Sequence, residues 1–382
     1  MAAKLRANPI SRGITLFRVA GIRISLDISW FVIFVLVLLA LSAGYFPRHF
    51  PGQTSQTYWI AGFIATLLFF ASVLIHELAH SLVAIRSGIE IPEITLFIFG
   101  GVSRLAQEPK DPETELKIAV VGPLSSFALA AFFWILQAFL RGLQPSMIVA
   151  VFGYLAWINL ALGIFNLIPG FPLDGGRIFR AIWWRRTGSL TRATKIAADM
   201  GKGFALALMF LGGLQIFTGA LISGLWLVFI GMFLRGMSIQ GYEEVVVRKA
   251  LEGVRVEEVM VREVISVPPD ITVADLVHDY FLQYAYRGFP VKENGRVLGV
   301  VSLTAVKSIP RDRQPYTLVR DILTPLKDTM LIEQEASLAD ALVKMSREGE
   351  ERLLVMSNGQ LLGMVTKTGL LRFIQIRQVL EP

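Results

Sequence analysis

From Pro51 to Ile75 the chain carries no charged residue, and the next five residues are His76-Glu77-Leu78-Ala79-His80. An apolar stretch of this length can cross the hydrocarbon core of a bilayer as a helix. In a helix, positions i and i+4 lie one turn apart on one face, so both imidazoles can reach a single metal ion. Glu77, beside the first of them, is placed to act as general base toward water. An H-E-x-x-H in a soluble helix often arises by chance, and a histidine pair there is as readily a hydrogen-bonded structural feature. At the end of an apolar run the balance changes, because ionisable groups at membrane depth are costly and are functional by default. Two of the four His in the chain lie here.

Composition agrees with a membrane setting. Hydrophobic residues make up 54% of the 382 residues and charged residues 18%. That is too apolar for a soluble enzyme, and the length calls for two or three domains. A net charge of +7 can signal nucleic acid. Here the basic residues fall in loops that flank apolar runs, so nucleic acid is not expected as a partner. The absence of Cys excludes disulfides and thiolate ligands, leaving His and carboxylates to hold zinc.

Along the chain, residues 1–25 hold Lys4, Arg6, Arg12, Arg18 and Arg23 without an acid, and Ile14–Leu26 alternates loosely about Gly21. This predicts a short hairpin at the membrane surface. Ile28–Pro47 is charge-free and long enough to span. A cleaved signal peptide would start earlier and carry a shorter apolar core, so a retained span is expected. The second span runs from about Tyr58 to Arg86. Residues 89–105 are β-rich, with Gly100-Gly101 as a turn, and too short to span as a helix. They are expected to form a re-entrant hairpin lining a protein cavity, with an ordinary surface hairpin as the alternative. Asp111-Pro112-Glu113 opens the next helix with acids in its first turn, and Gly122-Pro123 inside it should kink it or admit a neighbouring backbone. The charge-free run Gly142–Leu173 ends in Asn166-Leu-Ile-Pro-Gly-Phe-Pro-Leu-Asp-Gly-Gly176, a break with a carboxylate in it. Arg177, Arg180, Arg185, Arg186, Arg192 and Lys195 form a basic connection, and two further spans are expected at about 194–217 and 220–240. The alternation of basic and charge-poor connections fits six spans in the plasma membrane with both termini cytoplasmic.

After about Gly241 the composition turns soluble and a repeat appears. Val256–Met260 matches Val319–Leu323, Val264–Leu276 matches Thr329–Ala341, and Val297–Ser302 matches Leu361–Thr366. The period of about 64 residues is too long for a solenoid and indicates a tandem domain pair, each copy reading strand, helix, strand, strand, helix. The predicted fold is therefore an α-helical polytopic membrane domain over 1–240, with about six helices and a re-entrant β-hairpin. A soluble α/β tandem domain follows over 250–382, with copies at about 255–312 and 318–378.

Taken in order, His76-Glu77-x-x-His80, Phe99-Gly-Gly-Val102, Gly122-Pro123 and Asn166-x-x-Pro-x-x-Pro-Leu-Asp-Gly-Gly176 resemble the site-2 protease family of intramembrane zinc metalloproteases, peptidase family M50, in the branch with C-terminal CBS domains. The repeat separately resembles a CBS pair. The resemblance implies that His76, His80 and Asp174 bind one Zn2+ per chain, that Glu77 is the base, and that Asn166 orients substrate or stabilises the oxyanion. Phe99, Gly100 and Gly101 would contact substrate. The chemistry agrees, since catalytic zinc takes three protein ligands and keeps one position open. With no Cys and no other His on a predicted span, Asp174 is the natural third ligand. Its alternative role is a cap for the following helix, and that of Asn166 is a structural contact at the helix break.

The implied reaction is hydrolysis of a peptide bond in or near the transmembrane segment of a single-pass membrane protein such as an anti-sigma factor. The substrate would be received as an added strand along 89–105, in contact with membrane lipid. The CBS pair would modulate access as a docking or homodimerisation module. CBS sites that hold adenine nucleotides use a carboxylate three residues after the last strand's Ser or Thr; Ala305 and Gly369 stand there instead, which argues against nucleotide binding. The competing class is a CBS-gated transporter or channel for a metal ion, which predicts more intramembrane charge and inverted repeats than residues 1–240 contain.

Overall fold

The computed structural model describes residues 13–103, 109–141, 147–357 and 360–380. Lys4, Arg6 and Arg12, and Arg104 and Leu105 at the end of the β-rich segment, lie outside them. The described chain forms two compact units that divide between Val245 and Val246.

In the first unit, β1 (Ile14–Val19) and β2 (Ile22–Leu26) form the hairpin expected at this position. Asp27 then caps α1 (Ile28–Leu39), its carboxylate accepting from the Ser29 N–H at 2.9 Å. Helix α1 widens into a π turn over Ala40–Tyr45 and ends in α2 (Phe46–His49). After the capping Thr54 comes α3 (Ser55–Arg86), followed by β3 (Glu93–Phe97), β4 (Gly100–Ser103), α4 (Pro112–Arg141) and α5 (Met147–Asn166). The Asp111 carboxyl accepts from the Thr114 N–H and hydroxyl at the start of α4, which holds it below the usual carboxylate range. The unit closes with α6 (Asp174–Thr187), α7 (Leu190–Phe217) and the part of α8 (Leu221–Leu251) up to Val245.

Among the described residues, six helical segments are long and apolar enough to cross a membrane: Ile28–His49, Ser55–Arg86, Pro112–Arg141, Met147–Asn166, Leu190–Phe217 and Leu221–Leu251. Large apolar side chains stand exposed along them, among them Phe139, Phe210, Phe217 and Ile222. That outward-facing surface is suited to lipid, and the chain is a multi-pass membrane protein. The spans agree with the sequence reading except at their ends.

Two features differ from that reading. The hairpins at 14–26 and 93–103 are one four-stranded sheet, in the order β1-β2-β3-β4, because β2 and β3 pair in parallel from Arg23 opposite Glu93 to Leu26 opposite Leu96. Local alternation cannot report a pairing across some 70 residues of intervening chain. Ile22, Ile24 and Ile94 pack there with Ala84, Ile89, Ile91 and Ile118, so the sheet sits over the end of α3 and the start of α4. The basic connection, in turn, is in large part α6, a helix with Gly175, Gly176, Arg180 and Ala181 buried.

The second unit holds the repeat. Its first copy contains α10 (Val273–Asp275), α11 (Leu282–Tyr284), the hairpin β5 (Gly288–Glu293) and β6 (Arg296–Ser302), and α12 (Leu303–Lys307). The second contains β8 (Leu331–Ile332), α14 (Leu338–Glu348), β9 (Arg352–Ser357), β10 (Gln360–Thr366) and α15 (Lys367–Leu380). The opening segments are exchanged. Helix α9 (Val256–Val259) and its flanks pack into the core of the second copy, with Leu338, Leu353 and Leu370. Val319 of α13 (Val319–Ile322) packs into the core of the first, with Phe289 and Val301, and β7 (Thr324–Pro325) pairs with β6.

Candidate metal centre

Helix α3 presents His76 and His80 one turn apart, both buried, with ring centroids 4.8 Å apart. Their outer nitrogens are held by α4. His76 Nδ1 is 2.9 Å from Ser126 Oγ, and His80 Nδ1 is 2.6 Å from the Ile118 carbonyl oxygen. A carbonyl only accepts, so His80 Nδ1 carries a proton, which leaves Nε2 as the nitrogen that can serve as a ligand. The Ser126 hydroxyl can accept from His76 in the same way. Such partners fix imidazole orientation in metal sites. Gly122 lies between Ile118 and Ser126, and a Cβ there would overlap the His80 ring and come within 2.7 Å of His76 Nε2. The helix backbone thus touches the two rings where a side chain would push them apart.

Asp174 arrives from the break. Leu167–Leu173 leaves α5, and Phe171 is tied down from two helices: its N–H donates to the Ala197 carbonyl of α7 at 3.1 Å, and its C=O accepts from the Ser238 hydroxyl of α8. Helix α6 then begins at Asp174, whose carboxylate stands in the first turn where the helix dipole favours it. Its Oδ2 lies 3.1 Å from His76 Nε2 and 3.1 Å from His80 Nε2, and the two Nε2 atoms are 3.2 Å apart. In a tetrahedral zinc site with bonds of about 2.0–2.1 Å, ligand atoms stand roughly 3.3–3.4 Å apart. The observed triangle matches this to a few tenths of an ångström. The donor set, two neutral imidazoles and a carboxylate, suits zinc, and among the described residues these three form a group able to hold a metal ion.

Glu77 is half-buried beside this group. Strand β4 passes against it, since a Cβ on Gly101 would overlap Glu77 Cγ and lie 2.8 Å from its Cδ. Gly100, opposite Phe97 in the β3–β4 register, has φ +131°. Phe99 is turned elsewhere, with its ring stacked on Phe233 of α8 at 3.7 Å and tilted against Phe229 at 5.4 Å. Asn166 stands half-buried at the end of α5 and makes no hydrogen bond to the metal-site side chains. The structure therefore brings His76, His80 and Asp174 together, and Gly101 with Glu77, while Phe99 and Asn166 stay outside that cluster.

Sequence reasoning missed the α4 partners Ile118 and Ser126. It also missed Asn159, buried in α5, whose Nδ2 donates to Ser72 Oγ at 3.2 Å and to the Leu155 carbonyl at 2.8 Å. A polar residue inside a charge-free run was a usable signal for Asn159. The one-turn spacing of Ile118, Gly122 and Ser126 was visible, but nothing local says that a carbonyl serves as a partner. In the CBS pair, Ser302 Oγ accepts from the Ala305 N–H at 3.2 Å and Thr366 Oγ1 from the Gly369 N–H at 3.0 Å, so both hydroxyls cap the helices that follow them.

The chain is similar to known proteins over most of its length. The model of peptidase family M50 matches residues 64–146 and 141–210, and the CBS-domain model matches 256–311 and 319–376. A Mycobacterium tuberculosis relative named Rip3 is 35% identical over 373 residues, covering 97% of this chain and 94% of its own length. A zinc metalloprotease of Methanocaldococcus jannaschii is 32% identical over 373 residues, covering 96% of this chain and 98% of its own length. The solved site-2 protease from the same organism shares 34% identity, covers 60% of this chain and 95% of that one, and superposes with a TM-score of 0.44.

Proposed function

The chain belongs to the site-2 protease family of zinc metalloproteases, peptidase family M50, and from that premise we propose that it hydrolyses a peptide bond within or beside the transmembrane segment of a membrane-protein substrate. The observation that carries this reading is the convergence of two imidazole nitrogens and one carboxylate oxygen, 3.1–3.2 Å apart, next to a glutamate on the same helix turn. His76, His80 and Asp174 would hold one zinc ion per chain. Zinc bound there supplies a Lewis acid that polarises a carbonyl and makes water acidic near neutral pH. Glu77 takes the proton of the attacking water and later delivers it to the leaving amine. Asn166, with no intramolecular hydrogen bond to the three ligands, is available to orient the substrate.

A transmembrane helix hides its carbonyls in its own hydrogen bonds, so the scissile segment must unwind before it can react. Strand β4 closes one side of the sheet, and an extended segment added along it would run past Glu77 as a fifth strand. Gly100, with open space where a side chain would stand, leaves room for that approach, and Gly101 lets β4 lie against Glu77, which supports a re-entrant setting for this hairpin. Phe99, packed on α8, would position the strand rather than touch the bond being cut. Single-pass membrane proteins such as anti-sigma factors are the substrate class. The basic connections support a cytoplasmic location for both termini, where the CBS pair would act as a docking or dimerisation module that restricts access. Its capped hydroxyls and missing carboxylates argue against an adenine-nucleotide ligand.

The test uses full-length protein in lipid. Glu77→Gln should keep zinc and lose about 10²–10⁴-fold in cleavage, whereas Asp174→Ala should lose zinc. Near-normal cleavage by Glu77→Gln would overturn the mechanism.

A further inference from the structure

We infer that Glu115 and Arg180 are positioning residues that set where Asp174 meets the two imidazoles, an inference that rests on Asp174 being a metal ligand. The Glu115 side chain is fully buried in the first turns of α4. Arg180, 5% exposed, lies six residues after Asp174 on α6. Its Nε donates to Glu115 Oε1 at 2.6 Å, and a second guanidinium nitrogen donates to the same oxygen. Arg177 Nε stands 3.9 Å from that oxygen. The other face of the Arg180 guanidinium covers the Phe171 ring, 5.0 Å from its centroid. One side chain therefore joins three things: the α4 turn just before Ile118 and Ser126, which hold the imidazoles; the loop that delivers Asp174; and the helix that Asp174 begins.

Helix α6 has 14 residues; Phe171 ties the loop before it to α7 and α8, and the Arg180–Glu115 contact is a tie from the helix itself to α4. A slip of one residue moves the Asp174 carboxylate by about 1.5 Å. A metal site tolerates roughly 0.5 Å. The pair is also a poor device for stability alone. Burying an ion pair costs about as much as its attraction returns, and apolar replacements are often neutral. Glu115 Oε2 is buried without a hydrogen-bond partner, which adds to that cost. What the pair does provide is a register, because two guanidinium N–H groups donate to one buried carboxylate oxygen and so hold it in few geometries.

The experiment measures zinc affinity of the detergent-purified full chain by competition with a chelator, with thermal unfolding of the zinc-free protein as the control for folding. Arg180→Lys keeps the charge but not the fork or the broad contact with Phe171. Glu115→Met combined with Arg180→Met removes both charges at similar volume. Both should lose at least about tenfold in zinc affinity, the loss usual for partners behind a ligand, with the zinc-free melting temperature little changed. Cleavage by the zinc-saturated variants should show a lower kcat at an unchanged KM. If the double variant does not accumulate, Arg180→Lys decides by the same measurements. Wild-type zinc affinity in these variants, while Asp174→Ala loses zinc, would overturn the positioning role. Zinc retained by Asp174→Ala would instead overturn the ligand assignment on which it rests.

Discussion

Replacing Gly122 with Ala separates a structural reading from a local one, because the two predict opposite signs. Gly122 sits in the interior of α4. By helix propensity alone, Ala there should stabilise the protein by about 0.8–1.0 kcal/mol. In the folded chain the added methyl would overlap the His80 ring and stand 2.7 Å from His76 Nε2, where ordinary contact begins at 3.4 Å. At least about 0.7 Å of movement is needed on the His76 side alone. Neither imidazole can give way freely, since Ser126 holds one and the Ile118 carbonyl holds the other. Overpacking of this kind costs about 1–3 kcal/mol, enough to cancel or reverse the propensity gain. The damage to the site should be larger, because workable metal-ligand distances vary by only about 0.2 Å. Gly122→Ala is expected to lose zinc affinity by at least about a hundredfold, the upper end of what losing a supporting partner does, and to lose cleavage with it. The assay is the zinc content of purified protein together with cleavage of a reconstituted substrate and the melting temperature of the zinc-free form. A variant that is fully loaded, active and more heat-stable than the wild type would refute the packing of α4 against the imidazoles.

Ser126→Ala should cost about 10–100-fold in zinc affinity, less than Asp174→Ala, as read by the same chelator competition; equal affinity to wild type would remove Ser126 from the site. Reporter fusions at Pro51 should face outward and those after Gly241 should face the cytoplasm, and a tail reported outside would mean an odd number of spans. Calorimetry of ATP or AMP against the full chain should give a Kd weaker than about 10 μM, roughly −7 kcal/mol; tighter binding would show that the CBS site works without its carboxylates.

The sequence by itself determined the spans, the repeat and the identity of the three converging side chains. Each of these is a local property. Charge-free runs report lipid solvation, an i, i+4 pair reports one helix face, and a broken helix with an acid in it stands out against an apolar background. Even Asp174, 94 residues from His80, was legible, because it is a carboxylate in a helix break at the end of a charge-free run, in a chain without Cys. Only the tertiary structure decided how those residues are held. The Ile118 carbonyl that orients His80 has no side-chain signature at all. The union of two hairpins through β2 and β3, the Glu115–Arg180 pair and the exchange of opening segments between the CBS copies are all contacts between segments far apart in the chain. Backbone hydrogen bonds and close packing depend on which surfaces meet, and one chain read in order carries the composition of each surface but not the identity of its partner.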